Sequence, residues 1–161
     1  MIIRRYTKQD LEDVLCSWEA ATRFSCSFMS DEFIAQDRLH VANLYLPNTD
    51  TWVVEIHGKV QGFISLLGHQ ICALFLEPSF HGKGIGQALM SKAQTLHEHL
   101  EVFVAKDNII GCSFYSNYGF ELKAESFNQH IGRTVLHLSL PEKSLPKNSL
   151  LKNSLPENLP V

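Results

Sequence analysis

The 161-residue sequence lacks any run of about 18 apolar residues, which is the length that a membrane-spanning helix needs. Its start, MIIRRYTKQD, has two arginines but not the apolar stretch of a secretory signal peptide. An excess of basic residues is also missing, because 14 Lys and Arg face 17 Asp and Glu, for a formal net charge of -3. We therefore expect a cytoplasmic protein that binds neither membranes nor nucleic acids.

Close pairs of cysteines are also missing. No C-x-x-C pair occurs, and the spacing predicts small buried side chains rather than disulfides or metal ligands. The cysteines concerned are Cys16, Cys26, Cys72 and Cys112. Among the eight histidines, His97 and His99 form a close pair, but two residues apart on a helix they would face different sides. We expect no metal site.

The composition, with 45% hydrophobic residues, suits one domain with a substantial core. It changes at Pro141. Residues 141–161, PEKSLPKNSLLKNSLPENLPV, have no aromatic residue and repeat the triplet Ser-Leu-Pro or Ser-Leu-Leu. Three such short copies cannot build a solenoid. We predict a domain over residues 1–140 and a flexible low-complexity tail over residues 141–161.

A strand, a glycine-rich loop and a helix follow one another in ICALFLEPSFHGKGIGQAL, residues 71–89. Six apolar residues, 71–76, predict a short strand covered on both faces, and Pro78 ends it. From Ile85 the apolar residues repeat at three- and four-residue spacing, which predicts a helix that reaches about His99.

The loop of this unit carries Gly82, Gly84 and Gly86. Alternating glycines between a strand and a helix let backbone amides point into one concavity, where the helix dipole adds positive charge. The pattern predicts a site for an anion such as a pyrophosphate. Tight packing between strand and helix is the alternative explanation.

Two familiar phosphate loops do not fit. A Walker loop needs Gly-Lys followed by Ser or Thr, but Gly84 follows Lys83. A dinucleotide fingerprint reads G-x-G-x-x-G, whereas the glycines here are spaced G-x-G-x-G. The loop instead resembles the acyl-CoA loop of the GNAT superfamily of N-acyltransferases, Arg/Gln-x-x-Gly-x-Gly/Ala. The matching residues are His81, Gly82, Lys83, Gly84, Ile85 and Gly86, with His81 departing from the usual Arg or Gln.

A second motif lies about 25 residues further on. Asn108 predicts the N-cap of a short helix that Gly119 ends before a strand. GNAT proteins carry Asn-x-x-Ala-x-x-x-Tyr-x-x-x-Gly-Phe here. This chain is similar, with Asn108, Gly111, Tyr115, Gly119 and Phe120 at that spacing and Gly111 in place of Ala. The resemblance covers residues 1–140 and is strong over residues 52–120.

The chain pattern and the resemblance together predict the fold class. We expect an α/β protein of the α+β kind, with a mixed, mostly antiparallel, twisted sheet of about six or seven strands and about four flanking helices. A parallel pair, residues 71–76 and 100–105, lies at its centre and splays apart at one end. Two further helices are predicted over residues 8–18 and 31–46.

The resemblance implies that acetyl-CoA is the cosubstrate. Its pantetheine would pair with the strand backbone, the backbone N–H near Leu76 would stabilise the carbonyl oxygen, and Tyr115 would protonate the departing thiolate. The catalytic residues expected are thus Leu76 and Tyr115. The cofactor-binding residues expected are Leu74, Phe75, Leu76, His81, Gly82, Lys83, Gly84, Ile85, Gly86, Asn108 and Tyr115.

The acceptor side is less defined. By the resemblance, residues 17–47 shape the acceptor pocket, and the residues expected to line it are Trp18, Phe24, Phe28, Tyr45 and Glu77. The general base stays open between Glu77, His69, His40 and ordered water. Covalent attack by Cys72 or Cys112 would give a ping-pong mechanism, but the sequence offers neither thiol a paired base.

We therefore expect an acetyl-CoA-dependent N-acetyltransferase that needs no metal and is a monomer or homodimer. The acceptor would be a primary amine of a small molecule or peptide, attacking directly in a ternary complex. A domain that binds acyl-CoA without turnover, as a sensor or interaction module, is the alternative.

Overall fold

A computed structural model describes residues 1–142 of the protein. The strands are β1 (Ile2–Arg5), β2 (Asp50–Ile56), β3 (Lys59–Leu67), β4 (Gln70–Leu76), β5 (Leu100–Ala105), β6 (Glu121–Asn128) and β7 (Arg133–Leu140). The helices are α1 (Leu11–Ser25), α2 (Asp31–His40), α3 (Ile85–Leu96) and α4 (Ile109–Tyr118). The predicted tail lies outside the described residues except for its first two. No helix in the described range has the length and apolar character needed to cross a membrane.

All seven strands form a single sheet in the order β1-β2-β3-β4-β5-β7-β6. The β4–β5 pair is parallel, and the other neighbours are antiparallel. The parallel arrangement follows from α3, which separates β4 from β5 in the chain and carries the chain back to the same end of the sheet. The predicted fold class is confirmed.

Helices cover both faces of the sheet, because successive strand residues point to opposite sides. Val53 packs with α1 and α2 in one buried cluster, whereas its neighbour Val54 packs with α3 and α4 in another. Each cluster contains several side chains that are fully buried. The two halves of the core hold the central strands between two helical layers.

The helix boundaries in the first third of the chain differ from the prediction. The helix expected over residues 8–18 begins as a 3-10 turn, Lys8–Asp10, and then runs as α1 to Ser25. The helix expected over residues 31–46 is regular only to His40 and continues as a π-helical turn, Val41–Tyr45. A π turn is a local widening of the helix, which apolar periodicity does not reveal.

Two predictions about burial are wrong. β4 is not covered on both faces, because Cys72 is exposed and residues 73–75 are only half-buried. The cysteines are not all buried either, since Cys16 is exposed and Cys112 is half-buried, leaving Cys26 as the buried one. The uncovered face of β4 borders a cavity.

Candidate active site

The parallel strands β4 and β5 separate soon after they meet. Their register contains two partner pairs, Gln70 with Glu101 and Ile71 with Val102. At this closed end the Glu101 N–H donates to the His69 carbonyl oxygen at 3.0 Å. Beyond it the strands diverge, so the predicted splay is present, and the second half of β4 has no strand partner on that side.

The open edge of β4 presents backbone groups to the gap. In an antiparallel pair, hydrogen-bonded and non-hydrogen-bonded partners alternate. The Glu77 N–H donates to the Gln61 carbonyl oxygen on the β3 side at 2.8 Å, and Leu76 lies opposite Gly62. The amides of Leu74 and Leu76 therefore point away from β3 and into the gap, where an extended ligand can pair with them or a developing negative charge can be stabilised.

A cavity of ≈ 660 Å³ occupies this gap and extends across the sheet. Its wall combines β4, β5, the start of α3, α4, α1 and the β6–β7 connection. Residues of the wall include Trp18, Thr22, Tyr45, Leu74, Phe75, Leu76, His81, Gly82, Gly84, Ile85, Gly86, Asn108, Tyr115 and His130. The strand edge, the glycine loop and both sequence motifs thus share one space.

The N-terminus of α3 opens into this cavity. Gly84 is its N-cap, with φ 79°, and no side chain of the described residues caps this end. The first amides of a helix have no intrahelical acceptor, and the dipole makes this end electropositive. A Cβ at Gly82 would have no neighbour within 4 Å, so the concavity is open. These residues fit the diphosphate of a nucleotide cofactor.

Gly86, the third glycine of the loop, has a packing role. A Cβ on Gly86 would lie 3.1 Å from the Cε2 atom of the Phe114 ring. Gly86 therefore allows α3 and α4 to pack closely. Tight packing, the alternative explanation for the loop glycines, accounts for Gly86 but not for Gly84.

The His81 side chain forms a hydrogen bond with the last residue of β4. Its Nε2 atom lies 2.9 Å from the Leu76 carbonyl oxygen, which must accept the hydrogen bond, so the proton is on Nε2. The ring also meets the edge of Phe24, with the centroids 5.7 Å apart. The imidazole thereby orients the strand edge next to the Leu76 amide.

The second motif positions Tyr115. The Oδ1 atom of Asn108 accepts from the Gly111 N–H at 2.8 Å and caps α4. A Cβ on Gly111 would lie 2.7 Å from the side-chain nitrogen Nδ2 of Asn108, so glycine leaves room for this capping side chain. Two turns along, Tyr115 is 6% exposed and lines the cavity. Burial, aided by the nearby Cys112, raises the pKa of the Tyr115 phenol, which is therefore protonated at neutral pH.

The structure separates the five residues predicted for the acceptor pocket. Trp18 and Tyr45 line the cavity, and Trp18 is buried. Phe24 is 56% exposed and lies outside the lining. Phe28 is also outside it, and its ring centroid lies 4.7 Å from the Cζ atom of the Arg133 guanidinium. The Glu77 carboxylate accepts a hydrogen bond from the Ser79 N–H at 2.9 Å. Lys83 of the loop stands over the Phe80 ring instead of in the lining.

The candidate bases are also far from equivalent. His69 lies at the closed end of the gap between β4 and β5, where its Nε2 is 3.3 Å from Glu101 Oε1. The His137 Nε2–H donates to the other Glu101 oxygen at 3.1 Å, and this hydrogen bond is the main reason why the pKa of the Glu101 carboxyl is lowered. His40 lies near the cavity beside Asp37, with 3.6 Å between its Nδ1 and Asp37 Oδ1.

Sequence reasoning missed Asp37 and His130, both of which line the cavity. His130 comes from the β6–β7 connection, and its Nε2 is 3.6 Å from Asp37 Oδ1. In the described part of the chain, Asp37, His40 and His130 form one of two groups of three possible metal ligands, and the second is His69, His99 and Glu101. Neither group is contiguous in sequence, so spacing could not reveal it.

Comparison with known proteins identifies the family. A family model for the acetyltransferase (GNAT) domain matches residues 47–122. The peptidyl-lysine N-acetyltransferase YiaC of Escherichia coli is 32% identical over 122 residues, covering 75% of this chain and 84% of YiaC. The peptidyl-lysine N-acetyltransferase YjaB of Salmonella typhimurium is 30% identical over 139 residues, covering 86% of this chain and 95% of YjaB.

Solved structures show the same fold. The solution structure of apo YjaB from Escherichia coli superposes with a TM-score of 0.78 at 25% identity, covering 89% of this chain and 100% of YjaB. The PaiA N-acetyltransferase of Thermoplasma acidophilum, crystallised with coenzyme A, gives a TM-score of 0.73 at 17% identity over 87% of this chain and 98% of PaiA. The chain belongs to the GNAT family, and the protein is an N-acetyltransferase.

Proposed function

We propose that the protein transfers an acetyl group from acetyl-CoA to the side-chain amine of lysine in a peptide or protein. The observation that carries the proposal is the continuity of one cavity from the α3 N-terminus, along the open β4 edge, to the space beneath α2. The lysine acceptor is supported by the relatives named peptidyl-lysine N-acetyltransferases.

Backbone groups would hold the cosubstrate. The loop amides around Gly84 bind the diphosphate, and the β4 edge at Leu74 pairs with the pantetheine arm. Acetyl-CoA supplies the reactive thioester. The Leu76 amide, which faces the gap, donates to the thioester oxygen as negative charge develops there.

Tyr115 acts as the general acid. Its raised pKa keeps the hydroxyl protonated, so a proton is available when the carbon–sulfur bond breaks and sulfur takes the electron pair. Because α4 is capped by Asn108, the phenol is held at a defined place in the cavity wall.

Attack by the amine is direct. A covalent route would need a cysteine thiolate, but the Cys112 thiol donates to the Ala105 carbonyl oxygen and the Cys72 thiol donates to the Gln70 carbonyl oxygen. Partial burial raises the pKa of both thiols, which disfavours the nucleophilic thiolate. The amine and acetyl-CoA therefore react in a ternary complex.

The test uses the full chain in two stages. Isothermal titration with acetyl-CoA should give saturable 1:1 binding. Thiol release is then followed with an N-terminally blocked peptide containing one lysine, a lysine-free peptide with a free N-terminus, and a small diamine. We expect release with the lysine peptide and mass increase on its side chain. Binding of acetyl-CoA without thiol release in the presence of any of these amines would contradict the proposal. Faster thiol release with the lysine-free peptide or the diamine would assign a different class of acceptor.

A further inference from the structure

We propose that Asp37 binds the acceptor lysine ammonium and that His130 removes its proton. This inference rests on the proposed function and assigns the acceptor contacts at the same cavity. It begins with geometry: Asp37 lies on α2, His40 lies one turn later, and His130 comes from the distant β6–β7 connection. Asp37 and His130 both line the cavity.

One oxygen of the Asp37 carboxylate is buried without a hydrogen-bond partner among the described residues. This oxygen is Oδ1, which has no hydrogen-bond donor within residues 1–142. Two histidine nitrogens, His40 Nδ1 and His130 Nε2, each lie 3.6 Å from it, which is beyond an ordinary hydrogen bond. Buried polar atoms in native proteins are almost always hydrogen-bonded, so this oxygen is arranged for a donor that comes from elsewhere.

A primary ammonium satisfies this need. It carries three N–H donors and a positive charge, and it can bond Oδ1 while it remains close to the His130 nitrogen. The surrounding wall suits the rest of a lysine side chain. Phe33 packs on His130 with ring centroids 5.1 Å apart, and the Tyr45 ring is 6.4 Å from His40. Aromatic faces hold the methylene groups of the stem and favour the cation.

His130 completes the proton balance. An ammonium has no lone pair for attack, whereas a neutral imidazole can accept a proton near neutral pH. The ammonium N–H bond breaks and its proton passes to His130 Nε2. The freed lone pair forms the bond to the acetyl carbon, the carbon–sulfur bond breaks, and Tyr115 protonates the departing sulfur. The second proton lost from the nitrogen returns to the Tyr115 phenolate, which leaves a neutral amide, a thiol and a protonated His130.

The experiment compares Asp37→Asn with the control Glu32→Gln, which changes an exposed carboxylate in the first turn of the same helix. Steady-state assays vary the blocked lysine peptide and acetyl-CoA separately. For Asp37→Asn we expect the peptide KM to rise about tenfold or more, because a charge-assisted hydrogen bond is lost, with the acetyl-CoA KM changing less than about twofold. Glu32→Gln should leave both constants unchanged. For His130→Gln, kcat should fall about tenfold with little change in peptide KM.

A binding measurement separates this inference from the proposed function. The wild-type chain saturated with CoA is titrated with the lysine peptide and with the same peptide carrying norleucine, which lacks the amine. Asp37→Asn should weaken the lysine peptide alone. This outcome can be read even if the wild type releases no thiol and the proposed function fails.

Several results would overturn the inference. An unchanged peptide KM and affinity in Asp37→Asn, an equal loss for the norleucine peptide, or a wild type that binds neither peptide would each do so. Stoichiometric zinc bound by the wild type and lost in Asp37→Asn would also do so, because the three side chains would then serve a metal.

Discussion

The two ends of the cavity are built in different ways. At the end where we propose that acetyl-CoA binds, which we call the cofactor end, the contacts offered to a ligand are mostly backbone groups, from the amides around Gly84 to the edge of β4. At the end where we propose that the acceptor binds, which we call the acceptor end, they are side chains from separate segments, namely Asp37 on α2, Tyr45 on the π turn and His130 between β6 and β7. Backbone recognition suits a cosubstrate shared by a family, whereas side-chain recognition lets each member choose its acceptor.

This contrast predicts a separation of effects. Side-chain substitutions at the acceptor end should alter acceptor kinetics and spare acetyl-CoA affinity. Changes that occupy the backbone concavity should do the reverse. Four substitutions, taken in order of expected effect, test where the separation holds.

Tyr115→Phe should have the largest effect, and it tests the one side chain at the cofactor end to which we assign chemistry. Removing a general acid typically costs about 10²- to 10⁴-fold in rate, so kcat should fall by at least about 100-fold. The acetyl-CoA affinity from titration should change less than about threefold, because the ring that packs on Phe114 and Phe120 is kept.

The role of Tyr115 also predicts how kcat depends on pH. Because burial raises the pKa of Tyr115, the wild-type kcat should not lose this acid as the pH approaches 10, the ordinary value for tyrosine. Unchanged turnover in Tyr115→Phe would remove the residue from the mechanism and leave the cofactor end with backbone groups alone.

Gly84→Val should be next, with acetyl-CoA binding weakened about tenfold or more. The substitution strains a residue with φ 79° and places a side chain in the amide concavity. Gly58→Val in the β2–β3 turn is a matched control, since Gly58 has φ 77° and an added Cβ would have no neighbour within 4 Å. Both variants should lose similar thermal stability, and Gly84→Val alone should lose affinity. Equal affinities in the two variants would mean that the loop does not bind the diphosphate.

The same contrast explains how much the sequence could predict. The splay of the parallel pair was expected from the resemblance to the GNAT superfamily. The strand, the loop and the α4 cap depend on local patterns: an apolar run, spaced glycines, and Asn108 followed by Tyr115 at a fixed distance. Each pattern fixes a backbone conformation within a few residues, so periodicity and capping rules were sufficient. The seven-strand sheet follows from the same signals.

The acceptor end depends on contacts that no local pattern encodes. His130 lies 3.6 Å from Asp37 although the two residues are 93 positions apart in the chain, and this proximity depends on how α2 and the β6–β7 connection pack in the fold. Tyr45 lies at the end of the π turn after α2 and lines the cavity, whereas Phe24 and Phe28, which look equally suitable in sequence, lie outside the lining. The exposed Cys72 was misjudged for a related reason, because apolar runs cannot show that one strand face borders a cavity.

Tyr45→Ala against Phe24→Ala tests this part of the comparison, with a smaller expected effect. Tyr45 lines the cavity, so removing its ring should raise the peptide KM about three- to tenfold, in line with the loss of one aromatic contact to a cationic side chain. Phe24 is 56% exposed and outside the lining, so its removal should change the KM less than about twofold. Equal effects of the two substitutions would show that the peptide extends over α1 beyond the cavity.

Glu101→Gln should have the smallest effect, and it concerns the closed end of the gap between β4 and β5, where side chains and backbone act together. The folded-state pKa of Glu101 is lowered chiefly by its hydrogen bond to His137. A lowered pKa stabilises the fold above the unfolded value, about 4.3, and this contribution is lost as the pH falls through the folded-state value. The pair is partly solvent-exposed, so we expect less than about 1 kcal/mol. Urea unfolding at pH 6 should show wild type more stable than Glu101→Gln, with the difference shrinking as the pH falls below about 4.3, and no such difference for the exposed Glu98→Gln. A difference that persists at low pH would mean that Glu101 supports the strand junction by packing and not by its charge.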